Sequence, residues 1–234
     1  MNRASRLLRP ALGASFAILL SGCGGSGGTG TTAATTGRAN LTIDWPVATR
    51  LVPVASNSIT VSFLSGTEVL QSKTVAKPEE GESSTVSFTD LPAGTLRLKA
   101  EAFPTAGGTG TAQASASQNV TIVADSSVEL AITMAPNIRS FSIAPESPTV
   151  VAGESVSLSA VAKNASGATV LTSSSTVGWS SGDTSIATVA ANGVVTGVKA
   201  GTTQITVTDS ESGVTGSVTL TVAIGTGGAV VIVD

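Results

Sequence analysis

From residue 39 onward, apolar and polar residues alternate in short runs, the period of a strand with one face buried. In 41–45 (LTIDW) the apolar side chains of Leu41, Ile43 and Trp45 fall on one face. Ile59, Val61 and Phe63 repeat the pattern, and Leu96, Leu98, Ala100 and Ala102 carry it along a longer strand. Residues 69–75 and 85–88 are further strands. The run 119–134 reads as a hairpin, with Val120 and Ile122 facing Val128, Leu130, Ile132 and Met134. Turn formers separate these runs at 77–84 (KPEEGESS), 90–95 (DLPAGT) and 104–111 (PTAGGTGT). About seven strands in residues 39–135 predict a β-sandwich.

The pattern resumes after residue 136. The stretch 140–162 holds two strands joined through the Pro145 to Pro148 region and a turn at Ala152-Gly153. Val177 and Trp179 share a face, which places Trp179 in the core of the second half, as alternation places Trp45 in that of the first. Asn192-Gly193 lies between two apolar runs and predicts a two-residue hairpin turn, since both residues tolerate positive φ. Val218, Leu220 and Val222 form a strict period-two final strand. Beyond a glycine hinge at 225–228, residues 229–233 (AVVIV) are an uncharged, proline-free β-former. Left exposed, such a segment is an aggregation hazard. It reads either as an extra strand docked on the second body or as a strand donated to another molecule's sheet edge.

Two resemblances sharpen this picture. Residues 88–102 (FTDLPAGTLRLKAEA) resemble the strand–turn–strand of secreted bacterial Ig-like and prealbumin-like domains, so 39–135 is expected to be a sandwich of one of these kinds. Trp179-Ser180-Ser181, the strand from Ser185 to Val189, the Asn192-Gly193 turn and the run from Val194 to Val207 resemble the bacterial Ig-like group 2 domain over about 137–224. That resemblance implies a surface domain of the invasin and intimin kind, where such domains act as stalk units in cell adhesion. The expected fold is all-β, with two tandem Ig-like sandwiches at 39–135 and 136–224.

The pattern at the N-terminus is different. Arg3, Arg6 and Arg9 precede an apolar run at 11–20, and the small residues Ser21 and Gly22 follow. Ten apolar residues are too few to span a bilayer, which needs about 20, so 1–22 reads as a secretory signal peptide. Leu20-Ser21-Gly22-Cys23 resembles the lipobox of bacterial lipoproteins. In that family cleavage falls between the positions of Gly22 and Cys23, and the cysteine carries the lipid (palmitate among its chains). Cys23 is the single cysteine of 234 residues. A buried structural role fits poorly beside six glycines between Gly22 and Gly30, and a redox thiol needs a resolving partner or nearby positive charge. Several acyl chains give durable membrane attachment where one gives reversible binding. Residues 23–38 then form a Gly/Ser/Thr tether that spans about 20 Å as a flexible coil. Gly24, rather than Asp, after the cysteine favours an outer-membrane over an inner-membrane location, facing the periplasm or the surface.

Composition narrows the chemistry. Charged residues are 12%, aromatics 3%, and the chain has neither His nor Tyr. The commonest general base and metal ligand is therefore missing, and one cysteine permits neither an internal disulfide nor a thiolate zinc site. Cleavage before Cys23 removes three arginines and no acidic residue, taking the formal charge from −3 to −6. With no basic cluster, nucleic acid is not an expected partner. No catalytic triad, phosphate-binding loop or dinucleotide motif is present, and no catalytic residue, cofactor or metal is assigned. The acidic runs Glu79, Glu80 and Glu82, and Asp209-Ser210-Glu211, together with Asp183, are loop carboxylates. Solvated charge is the plainer reading of them and weak Ca²⁺ binding the sharper one. Three sequons, at Asn40, Asn119 and Asn164, carry little meaning in a bacterial lipoprotein. The expectation is a non-enzymatic, lipid-anchored cell-envelope protein acting as an adhesive or structural spacer. Its partners would be the membrane, through Cys23, and other envelope or surface proteins or glycans. The alternative is an accessory lipoprotein that binds a glycan or envelope polymer.

Overall fold

The computed structural model describes residues 35–45, 52–78 and 83–225. Every regular element among them is a strand. The predicted signal peptide, Cys23 with residues 24–34 of its tether, the acidic run Glu79 to Glu82, and 229–233 lie outside the described residues. The last tether residues are described, and Thr36 to Arg38 begin the first strand rather than a coil, because they pair with Pro92, Leu91 and Ser127.

The first hydrophobic core gathers residues from Ala39 to Met134. Around it lie β1 (Thr36–Asp44), β2 (Ser58–Ser65), β3 (Glu68–Ala76), β4 (Ser83–Pro92), β5 (Gly94–Phe103), β6 (Ala114–Ile122), β7 (Ser127–Leu130) and β8 (Ala135–Pro136). Two sheets, β4-β1-β7 and β3-β2-β5-β6-β8, face each other. The β2–β3 hairpin stays within one sheet, whereas the immunoglobulin order places its second and third strands in opposite sheets. The alternation drives this packing: Leu41, Ile43, Ile59, Val61, Phe63, Leu96, Leu98, Ala100 and Ala102 are all buried. At the centre, Phe63 and Phe88 meet edge to face with ring centroids 4.9 Å apart, one from each sheet.

The predicted 119–134 hairpin is not what forms. After β6 the chain turns at Asp125, whose φ is +55°, and crosses to the opposite sheet. There β7 runs parallel to β1, with Ala39 opposite Val128 and Leu41 opposite Leu130. The physical reason is occupancy. One edge of β6 is taken by β5 and the end of its other by β8, while β1 offers an open edge beside β4. Apolar alternation says that 128–134 has a buried face, but not which sheet supplies its neighbour. Gly37 permits the crossing, since a Cβ there would stand 2.2 Å from the Val123 carbonyl oxygen.

The second core runs from Ile143 to Val222. Its strands are β9 (Ser140–Ala144), β10 (Thr149–Val151), β11 (Ser155–Ser157), β12 (Ser159–Lys163), β13 (Val177–Ser181), β14 (Ala187–Val189), β15 (Val194–Gly197), β16 (Gly201–Asp209) and β17 (Thr215–Ala223). One sheet has the order β10-β17-β16-β13. In the other, β11 and β12 are one chain path interrupted only at Leu158, pairing first with β15 and then with β9. The resulting order β9-β12/β11-β15-β14 against β17-β16-β13 is that of an immunoglobulin sandwich. The Asn192-Gly193 turn is longer than predicted. Ala190 accepts from Gly193 N and donates to Val194 O, so three residues form the loop. Only Gly193 takes positive φ, at +82°. This is a type I turn closed by a left-handed glycine, the next commonest hairpin connection.

Phe63→Ala is expected to cost about 3–5 kcal/mol, the range for emptying an aromatic site in a closed core. Urea unfolding of the variant measures it.

Candidate functional site at the junction of the two cores

The connection between the two cores is stitched down rather than free. β8 pairs with the start of β6, Ala135 opposite Ser115 and Pro136 opposite Ala114. Asn137 then uses both its backbone and its side chain: its N donates to Gln113 O (2.8 Å), Nδ2 donates to Ala112 O (2.9 Å), and Oδ1 accepts from Ser115 Oγ (2.7 Å). One residue later Ile138 is buried in a small apolar cluster with Ala162 and Val170, against which Phe141 and Val214 pack. One residue, Ile138, therefore lies between the Asn137 bonds to the first body and the Arg139 N to Lys163 O bond within the second.

Gln113 is the centre of this junction. It is 1% exposed, an extreme value for an amide side chain. Its Oε1 accepts from Ser56 Oγ at 2.8 Å and its Nε2 donates to Leu171 O, across the junction, at 2.7 Å. A second clasp joins Glu211 Oε1 to the Val54 N–H at 2.8 Å. Burial raises the Glu211 carboxyl above its ordinary range and the nearby Asp209 pushes the same way, while the Val54 N–H and Lys77 act in the opposite sense. Nothing in the composition singled out Gln113, Ser56 or Asn137. Their one sequence signal is polarity inside otherwise small-residue runs, which a loop would show equally.

Of the carboxylates weighed for Ca²⁺, Asp209 and Asp183 are spent on local geometry. Asp209 is buried, and its Oδ2 accepts from Ser212 N (2.8 Å) and Oγ (2.6 Å). Its Oδ1 is buried without a partner. Asp183 caps the turn after β13, accepting from Ser185 N and Oγ. Those bonds, the Ser185 hydroxyl foremost, hold its carboxyl below the usual range. Among the described residues no three Asp, Glu, Cys or His side chains stand close enough to hold a metal ion.

The two tryptophans differ. Trp45 is buried and donates Nε1 to Ser84 Oγ at 3.2 Å. Trp179, placed in the core by its alternation, is only half-buried: it packs on the rim of the second core with Gly193 against its indole. The reason is that β13 is an edge strand, so no further strand covers that side of the ring. A cavity of about 230 Å³ lies in the first body, lined by Leu41, Ile43, Val52, Ile59, Ala100 and Met134, with Thr42 and Thr133 among its polar groups. It opens where β1 and the chain after Leu130 diverge. These walls offer room for an apolar group and no proton-transferring side chain.

Residues 137–230 match the bacterial Ig-like domain (group 2), and with the strand order described this segment is such a domain. No curated protein matches the chain. Among solved structures, domains 1–6 of the surface layer protein SbsC align at 19% identity over 71% of this chain and 20% of that one, with a TM-score of 0.34. SbsC domains 5–6 align at 19% identity over 82% and 83%, with a TM-score of 0.28. A C-terminal 282-residue fragment of intimin, solved with the intimin-binding domain of its translocated receptor, aligns at 18% identity over 82% and 64%, with a TM-score of 0.30. The chain spans about a fifth of the length of the first of these structures.

Two outcomes test the junction. Gln113→Ala removes both clasping bonds and leaves the buried Ser56 hydroxyl unpaired, so unfolding free energy should fall by about 1–3 kcal/mol, read by denaturant titration. Because the folded carboxyl of Glu211 titrates above its unfolded value, the folded chain holds more protons in that window. Its contribution therefore favours folding at low pH and is lost as pH rises through the raised value. Glu211→Gln should flatten that part of the stability–pH curve.

Proposed function

We propose that this chain is a lipid-anchored protein of the bacterial cell envelope, acting without catalysis as an adhesive or structural spacer. The observation that carries the reading is the junction: a linker stitched by β8 and Asn137 and clasped by Gln113 and Glu211 holds one sandwich against the next. A spacer needs this, since a free linker would let the far body swing and dissipate reach. The chain enters the first body at Thr36, beside Pro92 and Asp125, away from the junction. It leaves the second at Ala223, the end of β17 remote from the 210–214 loop that meets Val54. Membrane and tip partners would thus be served from opposite ends.

Anchoring rests on the Leu20-Ser21-Gly22-Cys23 sequence behind a basic, apolar leader. The outer membrane is the proposed location, with envelope proteins or glycans as the partners at the far end. Mass spectrometry of the mature protein should find an N-terminal, acylated Cys23, and Cys23→Ser should move the protein from the membrane to the soluble fraction. An unmodified thiol, or unchanged fractionation of the variant, overturns the anchoring.

A further inference from the structure

Two of the edge strands among the described residues carry closing devices. Between β3 and β4, Gln71 Nε2 donates to Thr89 O and Lys73 Nζ to Ser87 O, both at 2.6 Å, so side chains cap the carbonyls that β4 turns outward. Lys73 also lies 5.3 Å from the Phe88 ring centre. The edge β10 is three residues long, and its Val151 O is already taken by Glu154 N.

The edge β13 has no such device. It is five residues (VGWSS) with no charge and no proline, where natural edges carry one or the other. Gly182 N donates to Gln204 O, and Ser210 N to Thr176 O. With the register Ser181 opposite Ile205 and Val177 opposite Asp209, those bonds fix the ladder: Gly178 and Ser180 bond to β16. The backbone groups of Val177, Trp179 and Ser181 therefore point outward, and they have no hydrogen-bond partner among the described residues. The half-buried indole of Trp179 lies at the same open edge.

Residues 229–233 have the length and composition of the missing strand. Reaching β13 of their own molecule in register would take a hinge stretched to its limit. Ser181 is level with Val218, five residues short of the end of β17, and a strand added outside β13 would lie three strand spacings from β17, so the way back is about 16 Å along and about 14 Å sideways. That is about 21 Å in a straight line, all that the six links from Ala223 to Ala229 span when fully stretched. We propose that 229–233 of one copy adds as an antiparallel strand to β13 of a second copy, Val231 opposite Trp179. Main-chain bonds from alternate residues would meet Val177, Trp179 and Ser181, and the inward Val231 would cover the indole.

The test uses the chain from residue 23 onward, with Cys23→Ser so that no lipid intervenes. Its amide exchange is followed by NMR alongside sedimentation, from about 10 μM to about 1 mM, since so small a contact is weak. The amides of Val177, Trp179 and Ser181 should slow about tenfold as dimers form, while the β16–β17 amides stay constant and report the fold. Val231→Pro lacks the central donor and should abolish both the dimer and the protection. Exchange independent of concentration, whether fast or already slow at the lowest concentration, overturns the proposal, as does a dimer that survives Val231→Pro.

Discussion

A buried side-chain amide with both ends engaged leaves its surroundings little freedom, and Gln113 imposes that condition on this protein. Its carbonyl needs the Ser56 hydroxyl and its NH₂ needs the Leu171 carbonyl. Both must be in place at once, because an unmet polar group at this depth carries a penalty as large as a good hydrogen bond contributes. The loop before β2, the start of β6 and the 171–176 stretch of the second body are thereby held to a single arrangement. β8 and Asn137 act through the same short segment of backbone. What a shared hydrophobic interface does for larger tandem domains is done here by a few directional bonds. That suits a chain with 12% charged and 3% aromatic residues, in which large apolar contacts are scarce outside the two cores.

The strands of the cores were legible because alternation is a local property. Leu41, Ile43 and Trp45, or Leu96 through Ala102, have a buried face wherever the strand is placed. Pairing is not local, and there the reading failed. Nothing in residues 119–134 distinguishes a hairpin from a strand that crosses to a parallel neighbour, because the deciding fact is the open edge of β1, far away in sequence. Trp179 shows a related limit: its period placed it inward, where it packs against the second core, but only the strand order reveals that inward, at an edge, means half-covered. The junction was invisible. Gln113, Ser56 and Asn137 look like loop residues, and only the fold brings them to one point.

The edges show the same division between local and distant causes. On β3, Gln71 and Lys73 read as ordinary solvent-facing polar residues, yet they act as caps on the next strand's carbonyls. On β13 the absence of such residues is visible in the sequence, but it acquires meaning only once β13 is known to end its sheet. The group 2 Ig-like match covers residues 137–230 and so describes the body in which that open edge sits.

The parallel pairings of the outermost strands bear on how the molecule takes load. β1 is held between β4 and the parallel β7, and β17 between β16 and the parallel β10. The chain enters along the axis of β1 and leaves along the axis of β17. A pull on Thr36 along β1, or on Ala223 along β17, tries to slide that strand past two neighbours at once. Every ladder bond must then yield together, rather than one after another as in a peeled hairpin. Tension applied along these strands would meet the sandwiches in shear, the geometry in which a β-sheet gives way last.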